Sequence, residues 1–197
     1  VWSVRLTGVM GHTFDYCDVQ DAGFNILTSD QSVAGYMQAN LCQYNFVYFQ
    51  KIPGLAVDID RAANLTFRSC NFEKCGTTGN ANTGGVRATR LSPGGEGIDL
   101  TFENCWSETL LGPFLQISNS NGVTVINNTM VGNAGNTSAN NIVNNGCKLL
   151  LSGSTRILGS STGVRTQNSG ETRVSGFVRV NTHIEETGGV YKTAQFV

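Results

Sequence analysis

Two aspartates, Asp58 and Asp60, stand two residues apart in the run Gly54-Leu-Ala-Val-Asp-Ile-Asp. Asp is depleted in strands because its short carboxyl competes for backbone hydrogen bonds, so two in one alternating run invite a chemical reading. On one face of a strand their backbone positions would be about 6.5–7 Å apart. Glycoside hydrolysis needs a carboxyl pair about 5–5.5 Å apart for retention or about 6.5–9.5 Å apart for inversion. The spacing permits acid–base hydrolysis without selecting it. A plainer reading stays open, in which both are solvated outward residues and one pairs with Arg87 or Arg61.

More candidates follow in residues 77–97, "TTGNANTGGVRATRLSPGGEG". Long insertions in a repeating fold make loops, and loops on a rigid scaffold commonly carry function. This one brings Arg87, Arg90 and Glu96, with Asp99 just after it. Glu96 is a candidate general acid across a groove from Asp60. Arg87, Arg90, Gln116 and Asp99 are candidate substrate-binding groups. The glycine runs lack the Lys-Ser/Thr and the following helix of a phosphate loop, which argues against nucleotide binding. Asp15, Asp18, Asp21 and Asp30 offer oxygen ligands, but the Asp-x-Asn-x-Asp-Gly calcium loop is absent. With six cysteines, no Cys-x-x-Cys and two histidines, zinc is not expected either. The expectation is no metal and no cofactor. Tyr36, Tyr44, Tyr48 and Trp106 are read as exposed aromatics able to stack on sugar faces.

What positions these residues is a repeat. Thr-Phe-x-x-Cys occurs at Thr13–Cys17, Thr66–Cys70 and Thr101–Cys105. "GLAVDIDRAANLTFRSCNFEKCG" from Gly54 also aligns with "GPFLQISNSNGVTVINNTMVGNA" from Gly112, so Val57 falls on Leu115, Ile59 on Ile117 and Cys70 on Asn128. Asn40-Leu41 is matched to Asn64-Leu65, and Leu149 begins a weaker copy. The starts lie near residues 12, 41, 65, 100, 123 and 149. A period mostly in the twenties, with insertions, is the signature of a solenoid. Leucine-rich repeats share the length, but their Leu/Asn signature is missing.

Inside each copy the period is two, the period of a strand. The phase then breaks at one position, occupied by Ser69, Asn104 and Asn127. A single left-handed residue does this, and Asn tolerates that conformation best after Gly. Each copy is therefore a coil of short strands joined by sharp turns, stacked in parallel at about 4.8 Å. Cys17, Cys70 and Cys105 form one interior column of small apolar residues. Val57, Ile59, Val86, Ala88, Leu115 and Ile117 point inward. The outward face then reads Asp58 and Asp60, Arg87 and Thr89, Gln116 and Ser118.

The totals agree. The chain has 197 residues, 24 glycines, 14% charged residues and net charge −1. Gly and Asn suit tight turns. The neutral balance gives no footprint for nucleic acid or an anionic membrane, and no apolar run is long enough to insert into one. The chain opens Val-Trp-Ser, without Met or a signal-like apolar region, as expected of a piece of a longer protein.

"GLAVDIDRAANLTFRSCNFEKCG" and "GVTVINNTMVGN" resemble rungs of the right-handed parallel β-helix of the pectate-lyase-like superfamily. The Gly- and Asn-rich coils with insertions resemble those of bacteriophage tailspike depolymerases. The resemblance implies an all-β solenoid with rungs over residues 1–155. Residues 156–197 would hold the last rung or rungs and a C-terminal cap or the start of a trimerisation element. It further implies a homotrimer on a phage tail, or a secreted bacterial protein, that cleaves a bacterial surface polysaccharide by glycoside hydrolysis. A polysaccharide lyase of the same fold, a non-catalytic glycan-binding fibre and a rigid spacer are the alternatives. For a lyase, Arg87 and Arg90 would neutralise the uronate carboxylate.

Overall fold

The computed structural model of the protein describes residues 2–7, 11–27, 39–60, 62–78, 80, 82–89, 99–118, 122–132, 140–158, 162–176, 179–180, 183–187 and 190–193. Every regular element among them is a β-strand, most of three to six residues. The strands form three parallel sheets, two of eight strands and one of seven, with a two-stranded pair beside them. The chain visits the sheets in turn. Leu55–Asp60 lies in the first sheet, Leu65–Arg68 in the second and Asn71–Glu73 in the third. The next coil repeats the circuit with Gly84–Thr89, Asp99–Glu103 and Trp106–Leu110. This is a parallel β-solenoid, and strands Arg156–Leu158 to Val190–Thr193 continue the same parallel ladders.

The corners explain why the strands stay short. Tyr16, Phe46, Ser69, Asn104 and Asn127 all have φ between 53° and 55°, at one corner of successive coils. A second column of left-handed residues runs through Asp21, Lys51, Lys74 and Thr109. Each such residue turns the chain and swaps its faces. The expected break at Ser69, Asn104 and Asn127 is present, but the same corner is also made by two aromatic residues.

Stacking puts equivalent side chains in columns. Phe14, Tyr44, Phe67 and Phe102 stack ring on ring, with centroids 5.4, 4.6 and 5.1 Å apart. Phe49 stacks on Phe72 at 4.9 Å, and Phe114 meets Phe72 and Phe102 edge-on. Past Phe102 the column continues in register as Val125, Leu151 and Val174. Tyr44, read from sequence as an exposed sugar-stacking ring, is fully buried. Its register partners are Phe14 and Phe67, so it belongs to the core stack. The match of Leu41 to Leu65 is also off by one: Thr66 pairs with Gln43, which sets Cys42 opposite Leu65. Leu41 is the corner residue, at φ 55° and 58% exposed.

The cysteine column is present. Cys70 and Cys105 are buried, and their thiols donate to the Tyr44 and Phe67 carbonyls of neighbouring coils. Cys17, at the N-terminal end of the column, is only half-buried. Asn128 takes the next place in the column. Its amide accepts from the Cys105 N–H and donates to the Phe102 carbonyl, each at 2.7 Å, which satisfies a buried polar side chain inside an apolar core.

Candidate functional site

The first sheet arranges the candidate face in the order the sequence suggested. Val57, Val86 and Leu115 are in register and buried, as are Ile59, Ala88 and Ile117. The residues between them face outward, and there Asp58, Arg87 and Gln116 form one row. Asp60, Thr89 and Ser118 hold the next register positions. The side chains of Asp60 and Asp99 lie outside the described set, and Arg90 and Glu96 lie outside the described residues. The structure therefore brings together Asp58, Arg87 and Gln116.

The plainer reading of Asp58 is realised. Arg87 Nε donates to Asp58 Oδ1 at 2.9 Å and Nη2 to Oδ2 at 2.8 Å, a two-point ion pair between strands of adjacent coils. The pair is partly sheltered, with 35% of the Arg87 side chain and 16% of the Asp58 side chain exposed. Asp58 raises the Arg87 pKa further above its ordinary value, by hydrogen bonding first and by charge second.

Arg87 also lines a cleft of about 570 Å³ at the corner between the third and first sheets. Asp21, Gly23, Pro53, Asn82 and Thr83 line it too. The volume suits a small ligand or a short stretch of a larger one. Its floor is tight: a Cβ on Gly23 would stand 2.1 Å from the Leu55 carbonyl oxygen, so that position requires glycine. Its rim is built locally. Thr77 Oγ1 donates to the Pro53 carbonyl at 2.5 Å. Thr83 Oγ1 accepts from the Thr77 N–H at 2.8 Å and donates to the Asn80 carbonyl at 2.9 Å. The Asn82 N–H closes an Asx turn on Asn80 Oδ1 at 3.0 Å. The inserted segment was the signal for this rim. Asp21 and Pro53 come from two other coils, and nothing in the local sequence marks them.

The early aspartates are engaged by amides. Asp15 accepts from Asn45 Nδ2 at 2.7 Å, and Asp18 accepts from Gln20 and Gln50. Asp30 and Tyr36 lie outside the described residues. Trp106 is 44% exposed and Tyr48 half-buried, both on the third sheet. Among the described residues no helix is long and apolar enough to cross a membrane.

Fold and site together define the chain as a parallel β-solenoid with an ion-paired outer face beside a corner cleft. No protein-family model and no curated protein matches the sequence. Among solved structures it is similar to an alginate lyase from Paenibacillus sp. str. FPU-7, with a TM-score of 0.51 and 12% identity, over 93% of this chain and 74% of that one. At that identity the likeness is one of fold.

Proposed function

We propose that the chain is a polysaccharide-degrading protein that takes an acidic glycan against the Arg87–Asp58 pair. The observation that carries this reading is the disposition of Arg87. A guanidinium has five N–H donors in a rigid fork, and Asp58 takes two of them. Arg87 also lines a cleft of sugar-sized volume. Donors held in that way suit a sugar carboxylate or adjacent hydroxyls. The fold neighbour, a lyase of alginate, supports a polysaccharide as the substrate class.

Elimination is the reaction this arrangement favours. A lyase removes the proton beside a uronate carboxylate, and a cationic group must stabilise the charge that develops there. Arg87 fits that role, with Arg90 as its companion. Both Asp58 oxygens are already engaged, so Asp58 acts as a positioning residue for Arg87. The proton-transfer roles fall to Asp60 and Glu96, with Asp99 and Gln116 as sugar-hydroxyl contacts. Hydrolysis by the Asp58–Asp60 pair with Glu96 is the second reading, favoured by their spacing along one strand.

Incubation with a panel of uronate-containing and neutral polysaccharides separates the two. Elimination yields an unsaturated product that absorbs in the ultraviolet, whereas hydrolysis yields new reducing ends without it. Binding with no fall in chain length would make the protein an adhesin instead. The setting on a phage tail as a homotrimer belongs to the same proposal and rests on the Gly- and Asn-rich coils. Light scattering that gives a monomer would remove the trimer from it.

A further inference from the structure

We infer that the outer face of the third sheet is a second glycan-binding surface, shaped for an uncharged sugar chain, with Tyr48 and Trp106 as its stacking rings. Tyr48, Asn71 and Trp106 are register partners on three successive strands and face outward in one row. With about 4.8 Å between neighbouring parallel strands, the two aromatic positions are roughly 10 Å apart along the solenoid, the span of two pyranose rings. Asn71, a smaller polar residue, separates them, half-buried between the two aromatic positions. Trp106 is a large apolar side chain 44% exposed, beside the half-buried Glu108. Aromatic rings of this kind offer a sugar an apolar face while their polar tips stay hydrogen-bonded.

The row beside them supplies acceptors. Gln50, Glu73 and Glu108 are in register on the same three strands. Tyr48 Oη donates to Glu73 Oε2, which fixes the tilt of the ring. Lys74 Nζ holds the other Glu73 oxygen at 2.7 Å. That lysine, followed by Tyr48, keeps the Glu73 carboxyl below its ordinary range, so it remains an acceptor. Carboxylates and amides accept sugar hydroxyls well. They also set the charge of the guest. Around the two rings the carboxylates of Asp18, Glu73 and Glu108 outnumber the cations of Lys51 and Lys74, the latter tied to Glu73, while Arg156 and Arg179 hold register positions of the same row two and three strands beyond Trp106. Over the rings themselves a neutral chain is therefore favoured over a polyuronate. The surface is therefore distinct in chemistry from the Arg87 cleft on the first sheet and does not depend on it.

The test uses the intact chain. Trp2 and Trp106 are its tryptophans, so a Trp2→Phe background makes emission report Trp106 alone. Cellohexaose, maltohexaose and chitohexaose serve as neutral probes, and a galacturonate hexamer as the acidic one. At least one neutral hexamer should shift the Trp106 emission, and the acidic one should leave it unmoved. By calorimetry, Trp106→Ala and Tyr48→Ala should each weaken the neutral hexamer about tenfold, while Arg87→Ala leaves it unchanged. Thermal melts check that each variant is folded. The inference is overturned if no neutral hexamer binds, if both aromatic variants bind as well as the parent, or if only Arg87→Ala abolishes binding. Loss of depolymerisation in Arg87→Ala with this binding intact separates the face from the cleft.

Discussion

Arg87 and Asp58 lie 29 residues apart in the chain and directly opposite each other on neighbouring parallel strands, joined at two points by bonds of 2.9 and 2.8 Å. The pair exists because the solenoid stacks one coil on the next in register.

The first expectation concerns that pair. Because both side chains are partly exposed, a double-mutant cycle on Asp58→Asn and Arg87→Gln should give a coupling of only about 1 kcal/mol in stability. Activity should respond far more. Arg87→Ala should lower depolymerising activity about 100-fold or more, and Arg87→Lys should not restore it, since an ammonium cannot reproduce the fork. A Lys variant with full activity would show that only charge is needed.

The cysteines should divide by burial. Cys17 is half-buried, whereas Cys42, Cys70, Cys75, Cys105 and Cys147 are buried. Burial pushes the Cys75 thiol up to about 12 and the Cys105 thiol well above its ordinary value, which keeps both out of the reactive thiolate form. Iodoacetamide on the native protein should label Cys17 first, with the others following only on unfolding. Mass mapping of labelled peptides over time reads this directly. Early labelling of Cys105 would refute the interior column.

Thr109 carries strain that can be removed. It is β-branched, sits at φ 51°, and its hydroxyl is enclosed with no hydrogen-bond partner among the described residues. Left-handed backbone at a β-branched residue is costly. Thr109→Asn or Thr109→Gly should stabilise the protein by about 1 kcal/mol, read as a higher denaturant midpoint at unchanged slope. A destabilised Thr109→Asn would show that the threonine packs in a way that offsets its backbone.

The Tyr48–Glu73 contact should leave a mark at both ends of the pH scale. Its hydrogen bond to Glu73 comes first, and with burial and nearby carboxylates it raises Tyr48 from 10.0 to about 12. A raised folded value means the contribution is full below pH 10 and is lost as pH climbs towards 12. Glu73 is lowered from 4.5, so its contribution is present above that value and fades as pH falls through the lower folded one. Glu73→Gln should return the Tyr48 ionisation towards 10 in an ultraviolet titration. A titration curve identical to the parent's would deny the contact.

Much of the fold was legible because identical positions carry recognisable residues. Thr66-Phe67 and Thr101-Phe102 announce one register, and the alternation at Val57, Ile59, Leu115 and Ile117 sorts inside from outside without ambiguity. The outward row of Asp58, Arg87 and Gln116 followed from that sorting alone. What failed has a common cause. Corner residues were sought among Asn and Ser, yet Leu41, Phe46, Lys51, Lys74 and Thr109 adopt the same left-handed backbone. Stacking on neighbouring coils imposes that conformation against local preference, so no propensity signals it. The slipped match at Leu41 and the burial of Tyr44 both belong to a coil whose corners, Leu41, Phe46 and Lys51, carry none of the expected residues. Pairing of an aspartate with Arg87 was among the readings the outward row left open, and the structure assigns it to Asp58 with two contact points, a geometry that depends on side-chain reach between coils.

The central claim is that this solenoid degrades an acidic polysaccharide through Arg87. The most direct measurement is the chain length of a polyuronate panel after incubation with the protein and with Arg87→Ala, followed by size-exclusion chromatography with ultraviolet detection. The account expects at least one polymer to shorten with the parent protein, with rising absorbance of unsaturated ends, and about 100-fold less of both with Arg87→Ala. If no polyuronate shortens, or if Arg87→Ala shortens it at the parent rate, the claim is contradicted.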